Sequence, residues 1–129
     1  MSYYFPKTLA VETIEAAVAQ VTAALKEEGF GVLTDIDVRA TMKQKLDAEF
    51  RDYRILGACN PSLALRALSV EDKIGTMLPC NVVVQKTGEG RFEVAAIDPI
   101  ASMQAVDNPS LGDVAATVQA KLKAVVDRL

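Results

Sequence analysis

The chain has 129 residues, half of them apolar and 24% charged, with a net charge of −3; that suffices for one domain with a real core and is too apolar for a disordered chain. It contains no histidine and no tryptophan, which excludes Ser-His-Asp and Cys-His catalysis and His-ligated zinc or haem within one chain. The acidic balance, the scarcity of aromatics and the lack of a dense Lys/Arg cluster argue against a nucleic-acid partner.

Tyr3-Tyr4-Phe5 reads as a short first strand, stopped by Pro6. Val11, Ile14, Val18, Val21 and Leu25 then recur at steps of three and four, one face of an amphipathic helix. Glu12 and Glu15 near its start and Lys26 near its end suit the helix dipole, and Gly29 suits the position just past its end. Gly31 to Val38 alternates as a strand, with Val32, Thr34, Ile36 and Val38 on one face and Leu33, Asp35 and Asp37 on the other. Arg39 to Phe50 reads as a polar helix with Met42 and Leu46 turned inward, and its mixed charges as a solvated face. Tyr53 to Cys59 returns to strand.

Asn60-Pro61 signals a helix start, with Asn as N-cap and Pro at the first helical position. Leu63, Leu65, Ala67 and Leu68 give a short apolar helix, and Val70 to Leu78 connects it to the next strand. Pro79 opens a strand from Cys80 to Thr87. Gly88-Glu89-Gly90 turns it into a return strand, Arg91 to Asp98, ended by Pro99. Ser110 and Asp113 make a weak capping box before a stripe of Leu111, Val114, Val118, Leu122, Val125 and Leu129.

These elements predict an α+β fold in a single domain over residues 1–129: an antiparallel sheet packed on one face by two long helices, with short helices inserted. Val82, Val84, Val94 and Ala96 can share one sheet face, and Val83, Ala95 and Ile97 the other. The second apolar face needs cover. Either a second copy of the chain supplies it, giving a homodimer, or the short helices do. No apolar run approaches the roughly 20 residues that a membrane span requires. Met1 to Pro6 lacks the basic-then-apolar pattern of a signal peptide. A cytoplasmic location with reduced cysteines is therefore expected.

Two stretches stand apart: Gly57-Ala58-Cys59-Asn60-Pro61 and Leu78-Pro79-Cys80-Asn81-Val82. Each sets Cys before Asn at a strand end beside a Pro. Cys59 at a helix N-terminus can become a reactive thiolate. If the two strands pair, Cys59 and Cys80 can bind a soft metal, cycle between dithiol and disulfide, or supply a nucleophile. Equally, both can be small buried residues filling a core. Asn60 is most simply a helix cap, whereas Asn81 in an apolar strand must find partners. Asp35 and Asp37 share a strand face, as a cation site or as its wet side. Asp98 opens a turn before Pro99.

On these blocks, together with Leu25-Lys26-Glu27-Glu28-Gly29-Phe30-Gly31, Asp35-Ile36-Asp37-Val38 and Asp98-Pro99, the sequence resembles the bacterial and archaeal domain-of-unknown-function family numbered 302. The resemblance implies a fold like one half of the TATA-binding protein: a strand, a helix, four antiparallel strands and a second helix. It implies a dimer and brings no activity. Likeness to a DNA-binding half-domain is analogy alone.

Three functions remain open. The chain can be a non-enzymatic domain that binds or senses a small ligand or soft metal, with Cys59, Asn60, Cys80, Asn81 and Asp98 as candidate ligand-binding residues. It can be a thiol-dependent enzyme or redox protein, or a structural dimer. No cofactor is required by the sequence.

Overall fold

Strands rich in Val, Ile and Ala, and two helices with apolar stripes, find each other in the computed structural model, which describes residues 2–129; the first residue of the expected domain lies outside them. The strands are β1 (Tyr4–Leu9), β2 (Gly31–Asp37), β3 (Tyr53–Cys59), β4 (Cys80–Gly88) and β5 (Arg91–Ile97). They form one antiparallel sheet in the order β1-β5-β4-β3-β2. The long helices are α1 (Ile14–Glu27) and α5 (Gly112–Arg128). Shorter ones are α2 (Val38–Leu46), α3 (Pro61–Val70) and α4 (Pro99–Ser102). The expected α+β order is therefore the observed one.

Alternation along the strands divides the sheet into two unlike faces. Leu56, Val82, Val84, Val94 and Ala96 are fully buried, and Phe92 nearly so. They join Val21 and Leu25 of α1 and Leu122 and Val125 of α5 in one core. Burial of each large side chain contributes about 1.5–3 kcal/mol. On the opposite face, strand register sets Ile36, Ile55, Val83, Ala95 and Pro6 in one row across all five strands. Ile36 is 48% exposed. The short helices do not cover this row. Leu63 and Ala67 of α3 are buried in the core cluster on the helix side of the sheet. Helix α2 buries no residue.

Four expectations need correcting. Pro6 does not stop β1, which runs through it to Leu9; an edge strand pairs on one side only and tolerates a missing N–H. The alternation of β2 is broken by a bulge between Val32 and Thr34. The extra residue, Leu33, is 69% exposed. Helix α2 keeps Leu46 71% exposed rather than inward; this helix buries none of its residues. The Ser110–Asp113 box is not formed. Asn108 caps a 3-10 turn at Pro109–Leu111, and Leu111, with no side-chain cap, precedes α5. Helix α4, capped by Asp98, has too few residues to show a periodicity.

Candidate functional site

The residues that begin and end the central strands enclose a cavity of about 340 Å³ on the helix side of the sheet. Its floor is Ala58 and Cys59 at the end of β3 and Cys80 at the start of β4. One wall is α3, through Leu63, Ala64, Ala67 and Leu68. The facing wall is α5, through Val114, Ala115 and Val118. Phe30, Leu33, Asn60, Gly75, Leu78, Pro79 and Met103 complete it. No charged side chain lines it. Two of its lining residues, Leu33 and Leu68, are exposed to solvent. The volume falls in the range of about 300–1,000 Å³ typical of small-molecule pockets.

Local sequence explains why α3 stands where it does. Asn60 has extended backbone and accepts the Leu63 N–H through Oδ1 at 3.4 Å, while Pro61 takes the first helical position. At the other end, Asn108 Nδ2 donates to the Val70 carbonyl at 2.8 Å and to Glu71 Oε1 at 3.1 Å. Asn108 Oδ1 accepts from the Ser110 N–H at 3.0 Å. The helix is thus capped at its start and tied at its end, and the two helical walls present three alanines, Ala64, Ala67 and Ala115, to the space between them. Small side chains on fixed elements leave a void rather than a packed seam.

Two glycines permit close approaches at the rim. Gly57 on β3 has no room for a side chain. A Cβ there would collide with Thr34 Oγ1 and lie 2.7 Å from Pro79 Cγ, so only glycine lets the Leu78-Pro79 wall lie against the strand. Gly29, with φ of +84°, ends α1 under the Asn60 amide, whose Nδ2 would stand 3.1 Å from a Cβ.

Both cysteines border the cavity, but the structure does not bring them together as a pair. Cys80 stands in register opposite Ala58, whereas Cys59, one residue further along, stands opposite Gly31. The pleat's alternation works against their meeting. Both are free thiols. Burial first, and the charge of a Cys59 thiolate second, push the Cys80 thiol up to about 11. Cys80 therefore stays protonated at neutral pH, the wrong form for a nucleophile. No cluster of three or more His, Cys, Asp or Glu side chains exists among the described residues. Two thiols alone are an incomplete ligand set for structural zinc.

The remaining candidates fall outside the cavity or are occupied. Asp98 caps α4 by accepting the Ile100 N–H at 3.0 Å and also accepts from Gln119 Nε2 at 3.1 Å. Asn81 is exposed on β4, opposite Gly57. Arg54 bridges Asp35 at 2.9 Å and Asp37 at 3.6 Å, and Asp37 also caps α2. These two carboxylates serve structure rather than a cation. The wall residues Ala64, Ala67, Ala115 and Val118 were not singled out by sequence as a site, because each is an ordinary member of a helix.

Comparison with known proteins agrees with this architecture. The family described as "Domain of unknown function DUF302" matches residues 7–129. The chain is also similar to an uncharacterized conserved DUF302 protein from Bacillus stearothermophilus, known from a crystal structure. The two are 27% identical, with a TM-score of 0.89 over 99% of this chain and 98% of the other. No curated protein matches the chain. No helix among the described residues is long and apolar enough to cross a membrane.

Proposed function

The chain belongs to the DUF302 family, and from that premise we propose that it is a non-enzymatic binding domain for a small, uncharged, apolar molecule held between α3 and α5. The observation that carries this reading is the cavity of about 340 Å³ whose lining contains no charged side chain. Apolar lining favours an apolar guest, because both lose surface to water on contact. The absence of a charged partner disfavours an ionised one, which would be buried unpaired. Cys59 and Cys80 enter as wall residues rather than as a thiol pair, and their reduced state suits a cytoplasmic setting. The thiol-enzyme reading is weakened by the protonated state of Cys80.

Titration with the uncharged fluorescent probe N-phenyl-1-naphthylamine tests the proposal. The wild-type chain binds one probe saturably. Ala67→Leu, whose side chain grows into the cavity, abolishes binding while the far-ultraviolet circular dichroism is unchanged. Ala64→Leu serves if the first variant does not fold. Absence of saturable binding, or binding equal in the filled variants, defeats the proposal.

We also propose that two copies associate through the open sheet face. The support is the row Ile36, Ile55, Val83, Ala95 and Pro6, which no helix among the described residues covers. Sedimentation of wild type and Val83→Lys decides it: a dimer that the lysine converts to monomer is expected, and a monomeric wild type at micromolar concentration removes the idea.

A further inference from the structure

The walls of the cavity are short. Helix α3 lines it from Leu63 to Leu68 and α5 from Val114 to Val118, while β3 and β4 give only the residues at their ends. At 1.5 Å of rise per residue the two helical walls run about 7.5 and 6 Å, close to the side of about 7 Å that a cube of 340 Å³ would have. The space is therefore about as wide as it is long. Neither wall extends further. Helix α3 begins at Pro61, and the next apolar residue along the stripe of α5, Leu122, is sealed in the core and does not line the space. An apolar cavity of about 150 Å³ takes one benzene ring, so about 340 Å³ takes two fused rings on the same scale.

We infer that the guest is a compact, uncharged molecule with a fused two-ring body, and not a linear alkyl or acyl chain. This rests on the cavity reading above and makes it narrower. A fused bicycle is nearly as broad as it is long and matches a space of these proportions. An extended chain with the same number of carbons is longer than either helical wall and must coil to enter. Coiling gives up torsional freedom that a ring system has already lost, so the ring pays less on binding. The apolar lining rewards carbon content in both; the proportions of the space are what separate them. Ala67 and Ala115, one on each helical wall, leave the width that a ring requires.

The test compares decahydro-2-naphthol, a fused bicycle, with 1-decanol, a chain; both have ten carbons and one hydroxyl. Each is titrated into wild-type protein carrying N-phenyl-1-naphthylamine, and displacement is read as loss of probe fluorescence. Each affinity is then divided by that alcohol's own partition from water into octanol, which removes the difference in plain hydrophobicity. After this correction the bicyclic alcohol is expected to bind roughly tenfold more tightly, the size of immobilising one flexible chain. Equal corrected affinities, a preference for 1-decanol, or failure of both alcohols to displace a saturably bound probe overturns the ring assignment and leaves the cavity reading standing. A probe that does not bind wild type saturably removes the cavity reading and the ring assignment with it.

Discussion

Helix α5 meets the rest of the protein in two ways. In its C-terminal half, Leu122 and Val125 are sealed into the core beside α1. That seam is closed at its end by Arg128, whose Nε and Nη2 donate to Glu28 Oε2 at 3.0 and 2.8 Å. In its N-terminal half, Val114, Ala115 and Val118 face α3 across the cavity. One helix and one apolar stripe thus give a packed seam and an unfilled one. The difference lies in the partner. Helix α1 offers Val21 and Leu25, whereas α3 offers Ala64 and Ala67. Helix α3 is tied at its C-terminal end by Asn108 and at its N-terminal end by the chain, which leaves β3 at Cys59 with one residue before Pro61. Residue volume together with anchored ends decides whether two helices pack or bind.

The contrast can be broken most forcefully at Leu122. Leu122→Ala is expected to cost about 3 kcal/mol, as for a buried leucine that leaves a cavity in a packed seam. Val118→Ala, beside an existing void, should cost about 1 kcal/mol, because its side chain has fewer neighbours to lose. Urea denaturation of both variants measures the difference; equal costs would mean that the two halves of α5 are packed alike.

A smaller effect is expected at the anchor. Asn108→Asp keeps the acceptor for the Ser110 N–H but loses the donor to Val70 and sets a carboxylate against Glu71. Loss of about 1 kcal/mol follows, with faster hydrogen exchange in α3 and unchanged exchange in α1. If exchange in α3 does not change, the anchor does not hold the cavity open.

The smallest effect is absent at neutral pH. Cys80 sits in the cavity floor with its thiol pushed from an ordinary 9.0 to about 11, chiefly by burial. A raised folded-state pKa gives stability that is complete below the unfolded value and lost as pH rises through the folded one. Wild type should therefore lose stability between about pH 9 and 11, and Cys80→Ala should lose less over that window. A parallel pH profile in the two proteins would show that Cys80 is not desolvated.

Much of the fold was legible in the sequence. The stripes Val18–Val21–Leu25 and Val114–Val118–Leu122 give α1 and α5 on their own, since a helix repeats every 3.6 residues whatever it meets. The valines of β4 and β5 and the turn at Gly88-Glu89-Gly90 give the hairpin in the same way. The Asn60-Pro61 signal was equally local, and the cap it predicts is formed. Cys59, Asn60 and Cys80 were also marked by their position at strand ends, and all three line the cavity.

The rest was decided by tertiary structure. The bulge that swings Leu33 out depends on how β2 registers with β3. The separation of Cys59 from Cys80 is a one-residue offset between paired strands. The uncovered row on the far face follows from α3 settling on the helix side. The cavity is the clearest case. Ala64 and Ala67 read from the chain as good helix formers. That they bound an empty volume depends on α5 and on Asn108, over 35 residues away. Backbone conformation and periodicity are set by neighbours in sequence; the volume left between elements is set by neighbours in space.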